Sequence, residues 1–179
     1  MTIGERVRRH LVTGLSLLSL SSGVAGCATT VDPADVKLAD FKSDGCSLFP
    51  DGTYYSCCYL HDVAYWASGA ADERERADRS LRACVLDMTQ NAALAEAMYQ
   101  AVRVGGGPEL PTSYRWGYGW PFPYRKDYAP LNAAERAQVI EKIQKVCSMM
   151  RVNPSTGGVV VDVGREISLA QARQICPGL

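Results

Sequence analysis

Cys57-Cys58-Tyr59-Leu60-His61-Asp62-Val63-Ala64-Tyr65 places two adjacent cysteines one helical turn ahead of a His-Asp pair. The surrounding pattern predicts a helix over 53–67, with Gly69 as its stop. Neighbouring residues on such a helix point about 100° apart, so Cys57 and Cys58 can staple it to two different neighbours. Cys57 shares a face with His61, and Cys58 shares the next face with Asp62. Whatever each cysteine bonds is therefore held beside a residue able to do chemistry.

On the N-terminal side, Ser-Asp-Gly-Cys-Ser-Leu-Phe-Pro-Asp-Gly over 43–52 has the glycine, proline and aspartate content of a loop. On the C-terminal side, residues 71 to about 103 read as one long helix, with apolar positions at Ala77, Leu81, Cys84, Val85 and Met88. Gly105-Gly106-Gly107-Pro108 ends it. Suppose that Cys57 bonds Cys84 across two antiparallel helices. His61 then lies about 6 Å along one helix and Asp78 about 9 Å along the other, in the same direction. An aspartate on an imidazole fixes its tautomer and raises its basicity. If Cys58 bonds Cys46, the 43–52 loop is drawn onto Asp62. A carboxylate with loop carbonyls is a hard-oxygen site suited to calcium.

Cys-Cys-x-x-His-Asp-x-x-Tyr followed by Asp-x-x-x-x-x-Cys resembles the signature of the secreted phospholipase A2 superfamily, in its compact bacterial form. The resemblance spans about residues 44–84. It implies a mainly α fold, with two antiparallel disulfide-linked helices, a calcium loop and further C-terminal helices. It implies calcium-dependent hydrolysis of a glycerophospholipid acyl ester, with His61 activating water, Asp78 supporting the histidine and Tyr65 bonding Asp78. Asp62 and the carbonyls of Gly45, Ser47 and Phe49 are the implied Ca2+ ligands, with side chains of Asp44 or Asp51 as alternatives to Phe49. The implied bridges are Cys46–Cys58 and Cys57–Cys84. A further bridge common in the family maps onto Ala64 and Ala77, so both of its cysteines are missing together. The loop is poorer in glycine than the family's, and 15 residues separate Asp62 from Asp78, which leaves no room for a β-hairpin insert. A second tyrosine supporting the aspartate has no counterpart here.

Seven cysteines in 179 residues point to an oxidising compartment and one domain. Of those not yet assigned, Cys147 and Cys176 each end an expected helix and are paired, which leaves Cys27. Arg6, Arg8 and Arg9, the apolar run 11–20 and Val24-Ala25-Gly26-Cys27 have the form of a bacterial lipoprotein signal, cleaved after Gly26 with lipid on Cys27. The expected product is an exported lipoprotein anchored to a membrane of the cell envelope, with residues 27–42 as a tether and 43–179 as the domain. Removing residues 1–26 also removes His10, so His61 is the only imidazole left.

Equal totals of basic and acidic residues, 19 each, argue against nucleic-acid binding. One histidine and cysteines engaged in bridges argue against zinc. No elbow motif surrounds Ser56 or Ser80. The partners expected are the phospholipid substrate and, through Cys27, the membrane. The rival class is a non-catalytic envelope lipoprotein that uses the same scaffold for binding.

Further along, residues 111–130 form an aromatic loop whose Trp116, Tyr118, Trp120, Phe122 and Tyr124 either touch lipid or cover a helical core, with Arg115, Arg125 and Lys126 beside them. Asn132 with Glu135 three residues on predicts a capped helix over 133–150. Val159 to Val163 suggests a short strand or extended return, and Ser168 starts a last short helix.

Overall fold

The computed structural model describes residues 35–162 and 164–179. The expected signal, Cys27 as the expected lipid site and the first part of the expected tether lie outside the described residues. The described residues form a mainly helical structure with three disulfides and a small antiparallel sheet. No helix among them is long and apolar enough to cross a membrane.

Helix α1 runs Tyr55–Ala67. It starts two residues later than expected because Thr53 and Tyr54 form a tighter turn. Tyr55 N bonds Gly52 O and Cys57 N bonds Tyr54 O. It ends at Ser68, whose positive φ of 71° turns the chain out of the helix. The last carbonyls of α1 are satisfied by the aromatic loop. Gly117 N bonds Tyr65 O, Gly119 N bonds Trp66 O, and the indole of Trp120 bonds Ala67 O at 2.9 Å. Buried donors thus meet the orphan acceptors that any helix end leaves.

The single helix expected over 71–103 is two helices. Helix α2 spans Ala71–Thr89 and α3 spans Ala92–Gly105. Gln90 between them has φ 53°, the hydroxyl of Thr89 bonds back to Val85 O, and the Asn91 side chain accepts from Leu94 N. Polar side chains that compete for backbone groups stop one helix and cap the next. Apolar spacing carries no trace of this break. Its result is a helical hairpin, with α3 packed back along α2.

Helix α4, Ala133–Met149, has the expected capping box. Asn132 accepts from Glu135 N at 2.9 Å, and Glu135 accepts from Asn132 N at 2.8 Å. Strands β1 (Arg151–Val152), β2 (Val159–Asp162) and β3 (Arg165–Ile167) form one sheet in that order, with β2 in the middle. Only the middle strand was foreseen. Helix α5, Leu169–Ile175, follows Ser168, whose hydroxyl accepts from Gln171 N.

The disulfides are Cys46–Cys58, Cys57–Cys84 and Cys147–Cys176. They tie the 43–52 loop to α1, α1 to α2, and α4 to the end of α5.

The tether expectation needs correction. Residues 36–42, assigned above to a tether, pack into the domain. Val36 and Leu38 are buried with Trp66 and Trp120, and the Trp66 indole donates to Ala39 O at 3.0 Å. Of the two readings of the aromatic loop, core cover holds for Trp116 and Trp120, which are buried with their indoles donating to Gly69 O and Ala67 O. Arg115 is likewise buried, donating to the carbonyls of Trp116 and Trp120, and Arg125 pairs with Glu135 at 3.0 Å. Neither arginine is open to a lipid headgroup.

Candidate active site

Helices α1 and α2, stapled at Cys57–Cys84, bring His61 and Asp78 together at 2.8 Å between Nε2 and Oδ1. Asp78 is wholly buried. Burial pushes its carboxyl up, but hydrogen bonds from His61 and Arg103 outweigh this and hold it below the usual carboxylate range. The carboxylate is ionised, so it accepts, and the proton of the neutral imidazole sits on Nε2. Nδ1 is left as the nitrogen with a free lone pair.

The hydroxyl of Tyr65, one turn beyond His61, donates to the same Oδ1 at 2.8 Å. Burial, reinforced by the charge of Asp78, pushes its phenol far above the ordinary range, so it stays a donor. The other carboxylate oxygen is met by two arginines. Arg103 of α3 donates from Nη1 to Oδ2 at 2.7 Å, and Nε of Arg74 lies 3.7 Å from it. Arg74 also donates from Nε to the Tyr65 hydroxyl at 3.0 Å.

Asp62 faces a different neighbourhood. Its Oδ2 accepts from the Ser43 hydroxyl at 2.5 Å. Burial pushes its carboxyl up to about 8, against the Ser43 bond and with the help of the Asp44 and Asp51 charges. The 43–52 loop beside it curls through two left-handed residues, Gly45 at φ 80° and Ser47 at φ 51°. Asp51, an alternative oxygen above, is engaged elsewhere: Oδ1 accepts from Cys46 N at 2.9 Å and Oδ2 pairs with Arg165 at 2.6 Å. Asp44 accepts from the Ser47 hydroxyl at 3.0 Å.

His61, Asp62 and Tyr65 share one cavity of about 110 Å³ with Gly45, Ser47 and Phe49. Leu48, Leu81, Met98, Ala101, Val102 and Tyr114 give it a largely apolar wall. Gly106 also lines it, where a Cβ would stand 2.6 Å from the Tyr65 ring, so only glycine lets the end of α3 pass so closely. His61, Asp62, Tyr65, Gly45, Ser47 and Phe49 therefore line this cavity and Asp78 stands directly behind it, whereas the alternative oxygens of Asp44 and Asp51 are not part of its lining. Cys27 lies outside the described residues.

Ser43, Arg74 and Arg103 were missed. Arg74 precedes Asp78 by four residues on one helix, a spacing visible in the sequence. Ser43 and Arg103 reach the site only through the loop and the α2–α3 hairpin.

No family model matches the chain, and neither a curated protein nor a solved structure does.

Proposed function

We propose that this protein hydrolyses an acyl ester of a glycerophospholipid, with water activated by the His61–Asp78 pair. The observation that carries the proposal is the opening of His61, backed by Asp78, together with the buried Asp62 into one largely apolar cavity.

Nδ1 of His61 takes a proton from a water molecule as its oxygen attacks the acyl carbonyl. Asp78 holds Nε2–H and stabilises the imidazolium that forms. As the ester C–O bond breaks, the imidazolium returns the proton to the leaving alkoxide. The products are a fatty acid and a lysophospholipid. The apolar wall suits an acyl chain. No side chain is placed as a nucleophile, so no covalent enzyme intermediate is required.

The donors beside His61 suit calcium. Among the described residues no group of three or more His, Cys, Asp or Glu side chains is placed to hold a metal. A cation here would rest on the Asp62 carboxylate and on the carbonyls of Gly45, Ser47 and Phe49, which are hard oxygens. A buried carboxylate that favours its proton, with two further aspartates nearby, is a place where positive charge is wanted. When bound, calcium would supply that charge where the carbonyl oxygen becomes negative.

The test is release of fatty acid from mixed phospholipid–detergent micelles, with calcium and with chelator. Calcium-dependent release supports the proposal. Absence of release from every phospholipid class tried, with calcium present, defeats it and favours the non-catalytic binding lipoprotein. Membrane anchoring through lipid on Cys27 belongs to the same proposal. A Cys27→Ser protein is expected to leave the membrane fraction.

A further inference from the structure

Asp78 is a buried carboxylate with a division of labour between its oxygens. Oδ1 serves His61 and Tyr65, each at 2.8 Å. Among the described residues Oδ2 has one close donor, Nη1 of Arg103 at 2.7 Å. Arg74 is nearer in sequence but is occupied. Its Nε donates to the Tyr65 hydroxyl, its Nη1 to the Tyr128 hydroxyl, and its Nη2 to the carbonyls of Val102 and Arg103. At 3.7 Å from Oδ2 its Nε is an ion-pair partner and not a hydrogen-bond donor to Asp78.

Arg103 arrives there by topology. Asp78 lies eleven residues before the end of α2 at Thr89, and Arg103 lies eleven after the start of α3 at Ala92. In an antiparallel hairpin with equal rise per residue, the two stand level. The same turn of α3 carries Val102 and Gly105, which wall the cavity together with Gly106 just past the helix end. One side chain thus ties the cavity wall to the oxygen that His61 does not use.

We infer that Arg103 is a positioning residue for the hydrolysis proposed above, on which this inference rests: it pins Oδ2 so that Oδ1 stays aimed at Nε2 of His61. It touches neither substrate nor the reacting water. Without it, no described residue donates a hydrogen bond to Oδ2. The carboxylate then swings toward Arg74, or takes up a proton, because an unpaired buried charge is unfavourable. Either change loosens the bond that holds the imidazole in its Nε2–H tautomer. The contact uses a single N–H, so a lysine ammonium replaces it, whereas a glutamine supplies no charge.

The experiment compares Arg103→Gln and Arg103→Lys with wild type in three readouts. These are kcat and KM for fatty-acid release, the melting temperature, and ¹⁵N spectra of protein labelled at histidine. The chain has only two histidines, and His10→Gln leaves the His61 signals alone. In R103Q, kcat is expected to fall at least about tenfold with KM within about twofold, since misplaced groups slow the chemical step and not binding. Nδ1 is expected to become partly protonated. R103K is expected to restore both. Wild-type kcat together with an unmixed Nε2–H signal in R103Q overturns the inference. So does a loss that R103K fails to restore and that tracks a fall in melting temperature. If wild type releases no fatty acid, the hydrolase proposal fails, and the imidazole spectra alone judge Arg103.

Discussion

The hydroxyl of Ser43 donates to Oδ2 of Asp62 at 2.5 Å. This bond links the loop to the helix that Cys46–Cys58 also joins to it. It partly offsets the burial that raises the Asp62 carboxyl to about 8. A carboxyl with a raised value holds a proton between about pH 4 and pH 8 when no cation is bound. Calcium bound at Asp62 as proposed would have to displace that proton, so its affinity should rise with pH and level off above about 8, by up to about tenfold per unit below that point. Ser43→Ala should weaken binding further at pH 7 and converge on wild type above about pH 9. Calorimetric titration in buffers of different ionisation enthalpy checks this through the proton released. An affinity that is flat from pH 6 to 9 would remove the assignment of Asp62 as the ligand.

His61, Asp62 and Asp78 should fail in different ways. His61→Gln removes the proposed base and should lower the proposed hydrolysis by about 10²–10⁴-fold, with calcium binding near wild type. Asp78→Asn keeps the imidazole but loses its orienting charge, so turnover should drop about 10²-fold or more while the metal is still bound. Asp62→Asn should lose calcium and activity together. In metal-free protein above pH 7, the same change should stabilise the fold by on the order of 1–2 kcal/mol, because no buried charge remains to be formed. Denaturant melts with chelator read this directly.

The two longer disulfide loops give a controlled comparison. Cys57–Cys84 and Cys147–Cys176 close sequence separations of 27 and 29 residues. On chain entropy alone, each should contribute about 3–4 kcal/mol. Replacing both cysteines of either pair by serine should therefore cost similar stability. Only the Cys57/Cys84 pair joins the helices that carry His61 and Asp78. Its loss should abolish turnover in protein that is still folded, and loss of Cys147/Cys176 should not. Equal loss of turnover in both double variants, measured below their melting temperatures, would contradict the site geometry.

Asp40 bonds Lys142 and Lys145, each at 2.6 Å, and these bonds hold its carboxyl down to about 2. A carboxyl depressed in the folded state adds stability above about pH 4 and loses it as pH falls toward 2. Wild type should lose melting temperature over that window more steeply than Asp40→Asn. The difference should shrink in 1 M salt, since the pair is exposed. Gln138 of α4 accepts from Leu38 N at 2.9 Å and donates to Val36 O at 3.0 Å, and identical acid profiles for the two proteins would show that these bonds and apolar contacts alone hold this segment to α4.

Local chemistry was readable without coordinates. The Asn132–Glu135 box, Ser168 before α5, and the one-turn spacings of Cys57 to His61 and Cys58 to Asp62 involve residues within four positions of each other, where helical geometry leaves little choice. The resemblance in the adjacent-cysteine motif brought His61, Asp62, Tyr65 and Asp78 forward together. Tertiary structure decided the rest. Thr89, Gln90 and Asn91 interrupt an apolar pattern that itself runs on, and the resulting hairpin brings Arg103 to Asp78 from 25 positions away. Ser43 reaches Asp62 only because the loop is folded onto α1. Trp116 and Trp120 look like candidates for a lipid surface until the carbonyls at the end of α1 and beyond, which need donors, claim their indoles. Periodicity reports which face of a helix is apolar. It does not report which distant polar group will be buried beside it, because that depends on how unpaired donors and acceptors are satisfied once the elements pack.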